Sequence, residues 1–229
     1  AQCTECKWAE KRQFRIGNQE MKKALLVVDI QYDFLPGGSL AVENGDAIIP
    51  FVVDLLQQKG SYELIVATQD WHPPGHGSFA STHQGAKPFD VGELSGIEQV
   101  FWPDHCVQGE EGARVETEVR KLLIEVTERG QRTLIIKKGQ HVEVDSYSTF
   151  FDNARRHDTG LHKALQSYEI EQVEIVGLAF DYCVKFTALD AVSLGYETTV
   201  LLEGTRSVDP ATVEATINEL TAAGVSCRG

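Results

Sequence analysis

The chain has 229 residues, 42% hydrophobic and 24% charged, a balance that supports a well-filled core and excludes global disorder. Its 21 Lys and Arg against 34 Asp and Glu give a formal charge of -13, which repels phosphate backbones and anionic lipid surfaces, so no nucleic-acid partner is expected. No run of about 18 uncharged apolar residues is present, so no membrane span is expected either.

Residues 1–20 read as an N-terminal extension, because the only methionine, Met21, stands directly before the first strong apolar run. That stretch carries Lys7, Glu10, Lys11, Arg12 and Arg15 and lacks the apolar segment of a secretory signal. Its Cys3 and Cys6 form a lone C-x-x-C with no second pair at ligand spacing, so they are read as functionally neutral. Five cysteines in all, spread thinly over the chain, favour a reducing, cytoplasmic compartment.

From Met21 onward the chain reads as one domain. Apolar runs of strand length at Leu25 to Ile30, Leu64 to Thr68, Thr133 to Ile136, Val173 to Leu178 and Thr198 to Leu202 show no strict alternation, which predicts strands buried on both faces. Helical patterns lie between or after them at Ala47 to Gln58, Val115 to Glu128, Leu161 to Tyr168, Cys183 to Leu194 and Ala211 to Ala223. The alternation predicts a three-layer α/β/α fold, a Rossmann-like parallel sheet with helices on both faces. One connection, Gln69 to Glu111, is too long to be plain loop; it collects His72, His76, His83 and His105 and is expected to carry function or small elements of its own.

Ligands in such folds bind at the carboxyl ends of the strands. Those ends bring Asp29, Asp70, Lys138 and the stretch Ala179 to Cys183 to one rim. Asp29 interrupts Leu-Leu-Val-Val-Asp-Ile where an apolar residue would be the default, and burying it requires a partner, for which Lys138 is the candidate. Cys183 stands where a strand gives way to a helix, a setting expected to favour thiolate. A thiol nucleophile, a carboxylate that carries the proton and a lysine that holds charge suit attack on an amide carbonyl, with the backbone N–H groups of Ala179 and Cys183 at the oxyanion.

Asp70 and His72, two apart on an extended segment, with His105 from the far side of the long connection, suit a divalent metal with open positions: zinc first, iron or manganese as alternatives. His76 stays open as a fourth ligand, and His83 reads as a surface residue. Phe34, Trp102 and Tyr147 are candidates to sandwich a flat ring.

Together Val28-Asp-Ile-Gln-Tyr-Asp-Phe34, Gln69-Asp-Trp-His-Pro73, Trp102-Pro-Asp-His-Cys-Val107, Lys137-Lys-Gly139 and Gly177-Leu-Ala-Phe-Asp-Tyr-Cys-Val184 resemble the nicotinamidases, a branch of the isochorismatase-like cysteine hydrolases. The resemblance runs in order from about Lys22 to Pro210. It implies that Asp29, Lys138 and Cys183 form the catalytic triad and that Asp70, His72 and His105 hold a metal which receives the pyridine nitrogen of nicotinamide. It implies too that Phe34, Trp102 and Tyr147 flank the ring and that a cis peptide precedes Ala179. The expected reaction is hydrolysis of nicotinamide, with pyrazinamide as a related substrate, to the acid and ammonia through a cysteine thioester, in salvage toward NAD. Phe180 departs from the small hydroxyl residue common in the family, which either narrows the pocket or fills a gap behind it. Self-association is left open.

The competing readings are a metal-independent ureido or carbamoyl amidohydrolase of the same superfamily and a catalytically silent metal-binding scaffold. Asp70, His72 and His105 together argue against the first; turnover decides the second.

Overall fold

A computed structural model describes residues 21–229; the extension and its two cysteines lie outside the described residues. Among the described residues there are eight strands: β1 Lys23–Val28, β2 Leu64–Asp70, β3 Val91–Leu94, β4 Ile97–Val100, β5 Thr133–Lys138, β6 Gln172–Leu178, β7 Glu197–Arg206 and β8 Ser226–Arg228. Five α-helices join them: α1 Ile49–Gln57, α2 Thr117–Glu128, α3 Leu161–Ser167, α4 Lys185–Ser193 and α5 Val213–Ala222. The main sheet has six strands in the order β5-β2-β1-β6-β7-β8, every pair parallel.

The period of two along β1 divides the core. Leu25 and Val27 face the cluster that includes Val52, Leu55 and Leu56 of α1 and Val119, Leu122 and Leu123 of α2. Ala24, Leu26 and Val28 face the opposite cluster, with Leu161 and Leu165 of α3, Ala188 and Ala191 of α4 and Leu220 of α5. Both faces of the strand are therefore apolar, as the run Leu25 to Ile30 anticipated, and the three-layer α/β/α fold is the one observed.

The expectation of full burial fails at β5. This strand pairs only with β2 and forms one edge of the sheet, so Ile135 remains 53% exposed. The opposite edge is β8, too short to leave a periodic signal in the sequence. The long connection carries the β3–β4 hairpin, closed through Leu94↔Ile97 by Ser95 and Gly96. Both turn residues have positive φ, 55° and 82°, the conformation of a two-residue hairpin turn.

β1 ends at Val28 rather than running to Ile30, because Asp29 takes a left-handed backbone conformation, φ 48°. That turn brings the chain out at the carboxyl rim. On the neighbouring strand Gly177 has φ 122°, and a Cβ there would lie 1.9 Å from the Val28 carbonyl oxygen, so only glycine lets β6 pass β1 at this level.

Candidate active site and adjoining metal centre

The rim is assembled from four segments. β1 delivers Asp29, and the last residues of β2 and β5 are Asp70 and Lys138, which pair directly in the parallel ladder. Beyond β6 the Leu178–Ala179 peptide is cis, and a π-helical turn, Phe180–Val184, carries Cys183 into α4. Helix α4 proper begins two residues after the sulfur, at Lys185, rather than at Cys183. The carbonyl of Ala179 accepts from the N–H groups of both Tyr182 and Val184, which fixes the turn.

Lys138 is the centre of the cluster. Its Nζ lies 2.8 Å from Asp29 Oδ2, donates to Asp70 Oδ1, and reaches the Ser146 carbonyl at 2.9 Å and Cys183 Sγ at 3.3 Å. An ammonium has three protons and here faces four acceptors. The odd one out is Asp29 Oδ2, which has the charge contact but no hydrogen bond, while its Oδ1 accepts from Thr68 Oγ1 at 2.6 Å. Ligand atoms of Asp29, Asp70 and Cys183 lie within 4.8 Å of one another.

Burial raises the proton affinity of Asp29, against the opposing pull of Lys138. It also pushes the Cys183 thiol well up, and the lysine does not overcome this. The expectation that the turn and Lys138 favour a resting thiolate is therefore corrected: burial favours the protonated thiol, because desolvation outweighs one cation already shared among other acceptors. Lys138 itself is held charged; burial works against the charge, but Asp29 and Asp70 more than offset it.

Asp70 turns its second oxygen, Oδ2, toward two histidines, 3.7 Å from His72 Nε2 and 3.8 Å from His105 Nε2. These gaps are too long for hydrogen bonds. The outer nitrogens are engaged: His72 Nδ1 is 2.8 Å from the Gly139 carbonyl and His105 Nδ1 is 2.7 Å from the Pro103 carbonyl. A carbonyl only accepts, so each Nδ1 donates a proton and each Nε2 presents a lone pair inward. Buried His72 Nε2 has no hydrogen-bond partner, and Asp70 raises the ring's proton affinity despite burial. Two imidazole lone pairs and a carboxylate oxygen facing one point fit a divalent cation.

His76 does not extend this set as it stands. Its Nδ1 accepts from the Ser78 N–H at 3.1 Å, and its Nε2 lies 2.8 Å from the His141 carbonyl, to which it donates. No lone pair is left over. His83 is not a free surface residue: its ring stacks on Phe101 with centroids 3.9 Å apart, and its Nε2 bonds the Gly77 carbonyl at 2.7 Å. It is a packing residue of the long connection.

The three candidate aromatics separate. Phe34 packs beside the metal side, its ring 5.6 Å from that of His105. Trp102 and Tyr147 meet edge to face at 6.2 Å, and the indole N–H donates to the Tyr147 hydroxyl at 3.2 Å. Tyr182, not among the candidate aromatics, contacts both, at 4.8 Å from Trp102 and 5.4 Å from Tyr147. Its position directly before Cys183 was the available signal. Phe180 joins the core cluster of α3 and α4 and fills space behind the turn, not between these rings.

Further residues hold the site, among them Gln31 and Asp181, which stand within the quoted motifs but are given no role there. The Gln31 side chain forms a two-way clasp with the Asp70 backbone, donating to its carbonyl at 2.8 Å and accepting its N–H at 2.9 Å. Asp181 accepts from the N–H groups of Val208 and Asp209 and from the Thr212 hydroxyl, which fastens the Cys183 turn to the connection after β7. Buried Asp145 lies 3.9 Å from His72 Nε2.

Fold and rim define an α/β protein of the isochorismatase domain family, whose model matches residues 23–228; the chain belongs to that family. It is 44% identical to a nicotinamidase of Escherichia coli over 209 residues, 89% of this chain and 93% of the relative. A solved nicotinamidase/pyrazinamidase from Acinetobacter baumanii superposes with a TM-score of 0.82 at 39% identity, covering 92% of this chain and 97% of that one. A pyrazinamidase of Pyrococcus horikoshii solved in complex with zinc is 34% identical, with a TM-score of 0.69 and coverage of 90% and 98%.

Proposed function

We propose that the chain is an amidohydrolase that converts nicotinamide to nicotinate and ammonia, with Asp29, Lys138 and Cys183 as its reacting set. One observation carries the reading: a buried thiol, a buried carboxylate of raised proton affinity and a buried ammonium lie in mutual reach at the carboxyl end of the sheet. The high identity to nicotinamidases over most of the chain supports the substrate.

The reaction starts from the neutral Cys183 thiol and the ionised Asp29 carboxylate. Asp29 takes the Cys183 proton through the oxygen that lacks a hydrogen bond, and the sulfur attacks the carboxamide carbon. The negative charge that develops on the amide oxygen is received by the backbone N–H groups of Ala179 and Cys183. Asp29 returns the proton to the departing nitrogen, ammonia leaves, and a thioester remains. A water that gives its proton to Asp29 hydrolyses the thioester, releasing nicotinate, and the sulfur regains the proton. Throughout, the Lys138 ammonium holds the alternating charges of Asp29 and Cys183.

Asp70, His72 and His105 would hold the metal, for which zinc is the first candidate, with iron or manganese next. When bound, it supplies a Lewis acid for the pyridine nitrogen and so fixes the ring. Trp102 and Tyr147 line one side of the ring, and Phe34 the metal side. The three described cysteines are unpaired, which supports a cytoplasmic setting. Among the described residues no helix is long and apolar enough to cross a membrane.

The test is ammonia release from nicotinamide by the purified chain beside Cys183→Ala. We expect the variant to retain its fold by circular dichroism and lose about 10³-fold or more in kcat. Turnover by the variant at the parent rate removes the mechanism, and an inert parent chain supports the silent-scaffold reading.

A further inference from the structure

The aromatic contacts at the site continue outward beyond the residues already assigned. Phe89 meets the Trp102 ring edge to face at 5.9 Å, and Phe186, in the first turn of α4, lies 5.4 Å from Tyr147. Both ends of this row reach solvent: Phe89 is 56% exposed and Phe186 37%. The row thus runs from the residue before Cys183, Tyr182, through buried Trp102 to an open phenyl face at Phe89.

The backbone at Phe89 is the unusual element. The Asp90 N–H donates to the Lys87 carbonyl at 3.1 Å, closing a turn with Pro88 at its second position and Phe89 at its third. Phe89 has φ 74°. Proline followed by a positive φ is the pattern of a type II turn, whose third position is favoured for glycine because a side chain there is strained. The turn is firmly held. The Phe89 N–H donates to the Phe101 carbonyl at 2.6 Å, the Phe101 N–H to the Asp90 carbonyl at 2.8 Å, and the Lys87 N–H to the Asp90 carboxylate at 2.8 Å. A bulky apolar side chain therefore stands in a strained conformation, mostly in water, where glycine would fit better and burial offers little in return. Strain kept at such a position points to a use outside folding.

We infer that Phe89 is a specificity-determining residue: it forms the outer wall of the ring slot against Trp102, receives the flat heteroaromatic ring from solvent and limits the size of ring admitted. The inference deepens the reading of the site as a nicotinamide amidohydrolase and rests on it. Phe89 takes no part in the bond changes at Cys183, so it acts on capture and selection, leaving the chemical step to the buried cluster.

Two variants separate this from a structural role. Phe89→Gly removes the ring and relieves the backbone, so thermal unfolding is expected to move upward while KM for nicotinamide rises several-fold and kcat stays within about twofold. Phe89→Tyr keeps the wall and is expected to retain the parent KM. Relative kcat/KM for quinoline-3-carboxamide over nicotinamide is expected to increase in Phe89→Gly. Quenching of tryptophan fluorescence by nicotinamide in the Cys183→Ala background gives ring binding without turnover, and is expected to weaken by the same factor when Phe89→Gly is added. Unchanged KM, ring selectivity and quenching in Phe89→Gly overturn the inference. So does a fall in mass by light scattering with unchanged KM, which would make the phenyl face a contact between copies of the chain. Failure of the parent chain to release ammonia would instead strike the underlying reading, and the quenching comparison alone would then decide whether Phe89 contacts the ring.

Discussion

Asp70 sends one carboxylate oxygen into each of two buried clusters, and the surroundings of those oxygens differ. On the Oδ1 side, Lys138 faces both carboxylates, the Ser146 carbonyl and the Cys183 sulfur, so the charges are satisfied within the protein. On the Oδ2 side, His72 and His105 present lone pairs across gaps too long for a hydrogen bond, and His72 Nε2 has no partner. The first cluster carries its own cation, with Asp29 Oδ2 in charge contact but not hydrogen-bonded; the second has no cation of its own. One side chain thus joins the lysine-centred cluster to the histidine cluster, and the proposed reacting set and the proposed metal centre are positioned by a common strand end.

The sharpest way to break the contrast is Lys138→Met, which keeps the stem and removes the charge. Asp29 and Asp70 would then share a dry pocket with no cation, and breaking a buried ion pair from one side costs about 3–5 kcal/mol. We expect urea unfolding at neutral pH to show a loss of that size together with loss of turnover. A loss near zero would mean that the lysine charge does not hold the cluster together.

The metal side is tested without touching a ligand. Gly139 has φ 68°, and a Cβ there would come within 2.4 Å of His72 Cε1, on the ring whose Nδ1 the Gly139 carbonyl orients. Gly139→Ala should therefore displace the imidazole and lower metal affinity by about 10–100-fold, as loss of an orienting partner typically does. Competition for zinc against a chromophoric chelator measures this. Unaltered affinity would show that the carbonyl does not set the ring.

How much of this was legible in the sequence depended on whether a residue announces itself locally. Asp29 stood out because a charge broke an apolar run, and Asp70-Trp-His72 because two ligands fall two apart on an extended segment. Gln31, Thr68 and Asp181 are ordinary polar residues until the fold brings their partners in; the Gln31 clasp spans 39 positions. The expected thiolate at Cys183 fails for a related reason. Its turn and its lysine are visible in the chain, whereas the depth of its burial and the other acceptors competing for Lys138 are tertiary facts. The β3–β4 hairpin is one of the small elements expected in the long connection, but its place was not legible despite the Ser95-Gly96 turn signal, because Val91–Leu94 and Ile97–Val100 are short and mostly half-exposed, without a clean apolar alternation.

His76 offers a finer test of the difference between satisfied and unsatisfied groups, since its ring lies 4.4 Å from that of His72 yet both its nitrogens are bonded within the protein. Burial, with the neighbouring His72 adding to it, lowers its pKa from 6.5 to about 4. The unfolded chain takes up a proton at this residue as pH falls through 6.5, while the folded chain resists until about 4, so stability is complete above 6.5 and declines through that interval. The decline attributable to this one group between pH 6.5 and 5.5 is about 1 kcal/mol. Urea unfolding of the metal-free chain at those two pH values, beside His76→Asn, isolates it: the variant starts less stable at neutral pH but should lose less on acidification by that amount. Equal losses in parent and variant would mean that His76 titrates in the folded chain much as it does in the unfolded one, and that the two bonded nitrogens do not keep it neutral.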